Sequence, residues 1–129
     1  MGGVTTPSTI ILTADVWIAY LDPIVGREQG GRRPVVIISS DQLHKIPGAL
    51  VFVVPFTTRN RRVESHVPVL LESGELPRES FAMTEQLRSI SRLRLRKRVG
   101  SVDHPTLDLI QRRVAWFLGI EPRGLGRKP

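Results

Sequence analysis

Apolar positions along this chain fall in short blocks, continuous or alternating, and not in long helical periods. Asp15-Val16-Trp17-Ile18-Ala19-Tyr20-Leu21 is β-branched and aromatic and predicts a strand. Asp22-Pro23 closes it, because proline has no N–H to give to a ladder. Further strands are predicted over Val35–Ser39, Leu50–Val54, Val67–Leu71 and Lys97–Val102, with Pro68 arguing that the third of these is an edge. Gly74–Glu79 reads as a turn, Thr84–Ile90 as extended and Ser91–Leu95 as a short helical turn. The period then changes. Leu107, Ile110, Val114 and Phe117 recur at helical spacing, Asp103 precedes a first-turn Pro105 as a capping residue, and Gly119 is the stop. Close-set short strands, a single terminal helix and no βαβ rhythm predict a mainly β fold, a small barrel with a C-terminal helix packed on it. The domain is expected over 13–120, between a flexible leader at 1–12 and a loose basic tail at 121–129.

Composition narrows the partners. In 129 residues, 19 Lys and Arg stand against 12 Asp and Glu, a formal charge of +7. That excess favours an anionic partner such as nucleic acid, with a merely soluble basic protein as the alternative. The absence of cysteine excludes disulfides, a thiol nucleophile and the common structural zinc sites, and fits a cytoplasmic setting. No apolar run reaches the ~20 residues of a membrane span, and the N-terminus lacks the basic and apolar regions of a signal peptide. His44, His66 and His104 have no metal-ligand spacing, and no Walker, nucleophile-elbow or complete dinucleotide motif is present. No metal or cofactor is expected.

The chemistry concentrates at two strand ends. The loop Gly26-Arg27-Glu28-Gln29-Gly30-Gly31-Arg32-Arg33-Pro34 runs directly into Val35-Val36-Ile37-Ile38, and Val51-Phe52-Val53-Val54 ends in Pro55-Phe56-Thr57-Thr58-Arg59. Arg33 offers a planar fork of donors that suits phosphate; a salt bridge to Glu28 or Asp22 is the competing role. Glu28 reads as a general base, as an orienting partner of Arg33, or as a solvated carboxylate. Thr57 and Thr58 offer hydroxyls to a phosphoryl oxygen, against the commoner fate of local backbone bonding. Phe56 is a candidate stacking platform for a base or a core residue. Arg88, Arg92, Arg94, Arg96, Lys97 and Arg98 form a run that suits a phosphate-holding stripe or an ordinary solvated face. His66, near the second loop, is a candidate proton donor with a structural role as the alternative.

Taken in order, Asp15-Val16-Trp17, Asp22-Pro23, Gly26-x-Glu28-Gln29, Arg33-Pro34-Val35-Val36, Pro55-Phe56-Thr57-Thr58 and Glu85-Gln86-Leu87-Arg88-Ser89-Ile90 resemble the MazF/PemK toxins of bacterial toxin–antitoxin systems. The resemblance runs from about Asp15 to Ile120. It implies an SH3-like β-barrel, a homodimer, and metal-independent cleavage of single-stranded RNA at short sequences. The products would carry a 2′,3′-cyclic phosphate and a 5′-hydroxyl, and the C-terminal segment of a cognate antitoxin would cover the RNA groove. The family's essential arginine and threonine match Arg33 and Thr57, and its acidic residue matches Glu28. Gln29, Arg32, Phe56, Thr58, Arg59, Gln86, Arg88 and Ser89 are the expected RNA contacts. Ala14 stands where the family usually has glycine, Arg32 doubles the charge beside Arg33, and the leader is long. A CcdB-like toxin that binds and poisons DNA gyrase with the same barrel is the rival expectation.

Overall fold

The structure, a computed structural model, describes residues 10–120. Residues 1–9 of the expected leader and all of the expected tail lie outside the described residues. The chain forms β1 (Asp15–Tyr20), β2 (Arg32–Ile37), α1 (Asp41–His44), β3 (Val51–Thr57), β4 (His66–Pro68), β5 (Leu71–Gly74), β6 (Phe81–Met83), β7 (Arg88–Ile90), β8 (Leu95–Val102) and α2 (His104–Phe117). Single 3₁₀ turns at Thr84–Gln86 and Arg92–Arg94 join β6 to β7 and β7 to β8. The strands make one antiparallel, strongly curled sheet in the order β4-β6-β3-β2-β1-β8-β5.

The near-continuous apolar runs in β2 and β3 follow from burial on both faces. On one face Trp17, Ala19, Val35, Ile37, Val51, Val53 and Ile90 form a core with Ile11 and Leu21. On the other, Val16, Val36, Val54, Phe56, Val67 and Ala82 meet Ile110 and Val114 of α2. Successive side chains of a strand point to opposite faces, so one pass of β3 supplies both cores.

β3 also changes partner along one edge. Val51–Val53 pairs with β7 and Phe56–Thr57 with β6. Pro55 falls at the change-over, where a missing N–H costs least. The expected strand Leu50–Val54 therefore runs on to Thr57.

Other boundaries move for similar reasons. The predicted strand Val67–Leu71 is two strands, β4 and β5, which lie at opposite ends of the sheet order. The predicted extended segment Thr84–Ile90 opens with a 3₁₀ turn and is a strand only over Arg88–Ile90. Ile11, inside the expected leader, is buried in the first core, and its carbonyl meets His44 Nδ1 at 2.9 Å.

α2 starts as its sequence indicates: the Asp103 side chain accepts from Thr106 N–H at 2.9 Å, and Pro105 sits in the first turn. Gly119, at φ +73°, follows the end of the helix, as a left-handed C-terminal position requires. Leu107, Ile110 and Val114 pack on the sheet, whereas Phe117 is half exposed, edge-on to Trp116.

Candidate functional site

β2 and β3 pair with Val35 opposite Pro55 and Val36 opposite Val54. Continuing that register by two residues sets Arg33 opposite Thr57, so the sheet itself brings the two together. Arg33 lies within β2, fixed on its other side by pairing with Ala19, and is not part of the loop. Its Nε donates to Gly30 O at 3.1 Å and its Nη1 to Phe56 O at 2.8 Å. No salt bridge joins it to Glu28 or Asp22; Nη2 has no partner among the described residues. Partial burial holds the guanidinium below its ordinary pKa, although an arginine stays charged in such a setting. Thr57 Oγ1 accepts from Arg59 N–H at 3.2 Å. Its proton is left to donate.

Arg33 and Thr57 border one open cavity of about 450 Å³, with Gln29, Arg32, Thr58 and Arg59. Arg61, Leu76, Pro77, Arg78, Ser80 and Met83 complete the wall together with Pro34 and Phe56. The lining holds five arginines and no carboxylate. So uniform a charge favours an anion as the occupant. Among the described residues no group of three His, Asp or Glu side chains is placed to hold a metal ion.

The loop that delivers Gln29 and Gly30 is tightly built. Asp22 Oδ1 accepts from Gly31 N–H at 2.9 Å, and Gly31 takes φ +74°. A Cβ on Gly30 would collide with the Asp22 carboxylate and with Ile24. A side chain at position 30 would have to push aside Ile24 and the Asp22 carboxylate that accepts from Gly31 N–H.

Several expected residues have other work. Glu28 is exposed and outside the lining; its Oε1 accepts from Val25 N–H at 2.8 Å and so orders the loop. The Phe56 ring is 2% exposed, in the second core, and cannot stack on a base; its contribution to the site is the carbonyl that holds Arg33. Gln86 Nε2 donates to Arg27 O at 3.4 Å, and Arg88 Nη1 to Leu21 O at 3.3 Å, so both brace the loop from behind. Ser89 is exposed on β7 opposite Phe52, away from the cavity.

The basic run is largely occupied as well. Arg92 donates to Ala49 O and His44 O, Arg94 to Tyr20 O and Asp22 O, and Arg98 to Asp15, while Arg96 lies over the Tyr20 ring. Those guanidiniums satisfy loop carbonyls and one buried carboxylate, and they do not form a stripe.

His66 has a buried side chain whose Nε2 meets Glu85 Oε2 at 3.1 Å, and Nδ1 is buried without a hydrogen bond. Desolvation opposes the Glu85 charge. Hydrogen bonds from His66, its own backbone and Ser65 outweigh that and hold the carboxyl below its ordinary pKa.

The sequence reading missed Arg61, Arg78, Ser80 and Met83 as lining residues. The signal that would have found them is register. Phe81 pairs with Thr57, which brings the residues just before and after that pair to the cavity.

Comparison with known proteins bears on the family and the fold. The family described as PemK-like, MazF-like toxin of type II toxin-antitoxin system matches residues 13–118. Endoribonuclease EndoA of Bacillus subtilis (strain 168) is 31% identical over 102 residues, covering 78% of this chain and 88% of that protein. The crystal structure of MazF (Form-I) from Deinococcus radiodurans superposes with a TM-score of 0.76 at 22% identity, over 88% of this chain and 100% of that one. A MazE-MazF crystal structure (Form-II) from the same organism gives 0.70 at 22% identity, over the same shares. The two solved structures share the curled antiparallel sheet with its C-terminal helix, and the sequence match carries the assignment further: this chain belongs to the PemK-like, MazF-like toxin family of type II toxin–antitoxin systems.

Proposed function

We propose that this chain is an endoribonuclease toxin that cuts single-stranded RNA by attack of the RNA's own 2′-hydroxyl on the adjacent phosphodiester, without a metal. The observation that carries the reading is the convergence of Arg33 and the free Thr57 proton on a cavity lined by arginines alone among charged residues. In the reaction the 2′-oxygen–phosphorus bond forms and the phosphorus–5′-oxygen bond breaks. A 2′,3′-cyclic phosphate and a 5′-hydroxyl result. The 2′-hydroxyl proton leaves to a base, and the 5′-oxygen takes one up. Orientation by the cavity aligns the attacking oxygen with the leaving one. Charge that accumulates on the phosphoryl oxygens meets the Arg33 guanidinium and the Thr57 hydroxyl. Partial desolvation of Arg33 strengthens that interaction and makes its N–H groups better proton donors to the leaving oxygen. Glu28 remains the candidate base, and reaching the substrate requires its carboxylate to leave Val25 N–H.

EndoA, named an endoribonuclease, supports the activity, and the MazE-MazF likeness supports an antitoxin partner. The C-terminal segment of that antitoxin would compete with RNA for the cavity, acidic side chains replacing phosphates. The exposed Leu109, Trp116 and Leu118 on and just past α2 supply apolar surface for a homodimer.

A defined single-stranded transcript incubated with the protein in EDTA tests the reading. Discrete fragments with 5′-hydroxyl ends are expected. Arg33→Ala and Thr57→Val should each slow cleavage by ~100–1,000-fold while retaining partial RNA binding. Intact RNA with the wild-type protein, or full activity in Arg33→Ala, overturns it.

A further inference from the structure

Guanidiniums among the described residues differ in what holds them. Those of Arg88, Arg92, Arg94 and Arg98 are committed to carbonyls or to Asp15. Those of Arg61 and Arg78 are exposed and make no hydrogen bond or ion pair among the described residues, yet both line the cavity that holds Arg33 and Thr57. Their positions are not accidents of loop wandering. Thr57 and Phe81 are paired across β3 and β6. The β3–β4 loop leaves from one member of that pair and carries Arg61; the β5–β6 loop arrives at the other and carries Arg78. Two walls of the cavity therefore diverge from one cross-strand contact beside the reacting groups. Glu75 and Glu79 flank Arg78 in sequence, but neither borders the cavity, so among the described residues no carboxylate neutralises this pair there. Like charges held around one space repel unless an anion enters it.

We infer that Arg61 and Arg78 are phosphate-gripping residues for the RNA strand on either side of the scissile group, holding its backbone without reading its bases. The inference rests on the RNA-cleaving reading and extends it to two residues that neither the sequence motifs nor the comparisons mark. The two arginines contribute binding, and Arg33 and Thr57 contribute rate.

The test measures binding and cleavage separately. A 2′-O-methylated RNA oligonucleotide, which has no free nucleophile, is titrated across a series of KCl concentrations, and the unmodified oligonucleotide is used for kinetics. Arg61→Ala and Arg78→Ala should each weaken binding roughly tenfold and flatten the dependence of log K on log salt by about 0.7. The double variant should raise KM with kcat nearly unchanged, whereas Arg33→Ala lowers kcat. Arg61→Lys with Arg78→Lys should recover most of the salt slope. Arg62→Ala, an exposed cation outside the lining, should leave the slope as it is. If wild-type protein cuts RNA while the double variant keeps wild-type affinity and slope, or if Arg62→Ala matches its loss, the inference fails and the nuclease reading stands. If wild-type protein binds RNA but leaves it intact, the nuclease reading fails while the binding data still score the two arginines. Circular dichroism of each variant confirms that both loops hang from an unchanged fold.

Discussion

A guanidinium presents five N–H donors in one plane, and Arg33 directs two of its nitrogens at backbone carbonyls of separate segments. Those contacts fix the plane and leave Nη2 without a partner among the described residues, the edge that the proposed function gives to substrate. Thr57 is set by the same economy: its oxygen accepts from Arg59 N–H, so the hydroxyl proton has a defined direction. Ala14 shows the opposite situation. It sits at φ +81°, where a Cβ is strained, because its N–H is bound to Ile37 O and its carbonyl to Val102 N–H. Ala14→Gly is therefore expected to stabilise the protein by about 1 kcal/mol, read as a raised urea midpoint at constant slope. An unchanged or lowered midpoint would refute the strain.

At the scale of elements, β3 carries residues of the site, and α2 closes the second core behind it. Asp103 caps α2, and the hydrogen bonds from Thr106 hold its carboxyl below the ordinary value of 3.8. A carboxyl whose folded pKa is depressed adds stability above its unfolded pKa and loses it as pH falls through the folded one. Asp103→Asn keeps an acceptor for Thr106 N–H and removes the titration. Its stability should fall less steeply than wild type below pH 3.8, as followed by urea melts at successive pH values. Asp41 and Glu85 are shifted in the same direction and leave a residual slope.

β3 shows what the sequence conveyed and what it did not. Its apolar run and flanking proline located Thr57, and alternation then requires that Phe56 face the other way, into the second core. Of the two roles open to Phe56 in the sequence, stacking platform or core residue, that parity selects the core. Arg88 to Arg98 misled for a different reason. A basic run looks the same in sequence whether its side chains meet solvent or loop carbonyls, and only the folded positions of Ala49, His44, Tyr20 and Asp22 decide it. Arg33 was legible because it abuts a strand; Arg61 and Arg78 were not, because register across β3 and β6 is a non-local fact.

Over the whole molecule, two apolar cores fill the body of the sheet, and a cluster of cationic side chains gathers at one end, around the close of β3 and the start of β6. The net charge of +7 favours encounter with a polyanion from any direction, and on the proposed function the cavity is where it settles. The two anchors of Arg33 are main-chain oxygens, at Gly30 and Phe56, which no side-chain replacement deletes. On the proposed function, expression of this protein would arrest growth, and survival would then select inactive alleles. Survivors with a folded product should map to codons 33 and 57, and to codon 30, where an added side chain pushes against the Asp22 carboxylate and Ile24. Missense changes at codon 56 should be recovered mainly as insoluble protein. On the proposed function, a second molecule seated in the cavity would silence the chain reversibly and leave those main-chain anchors intact.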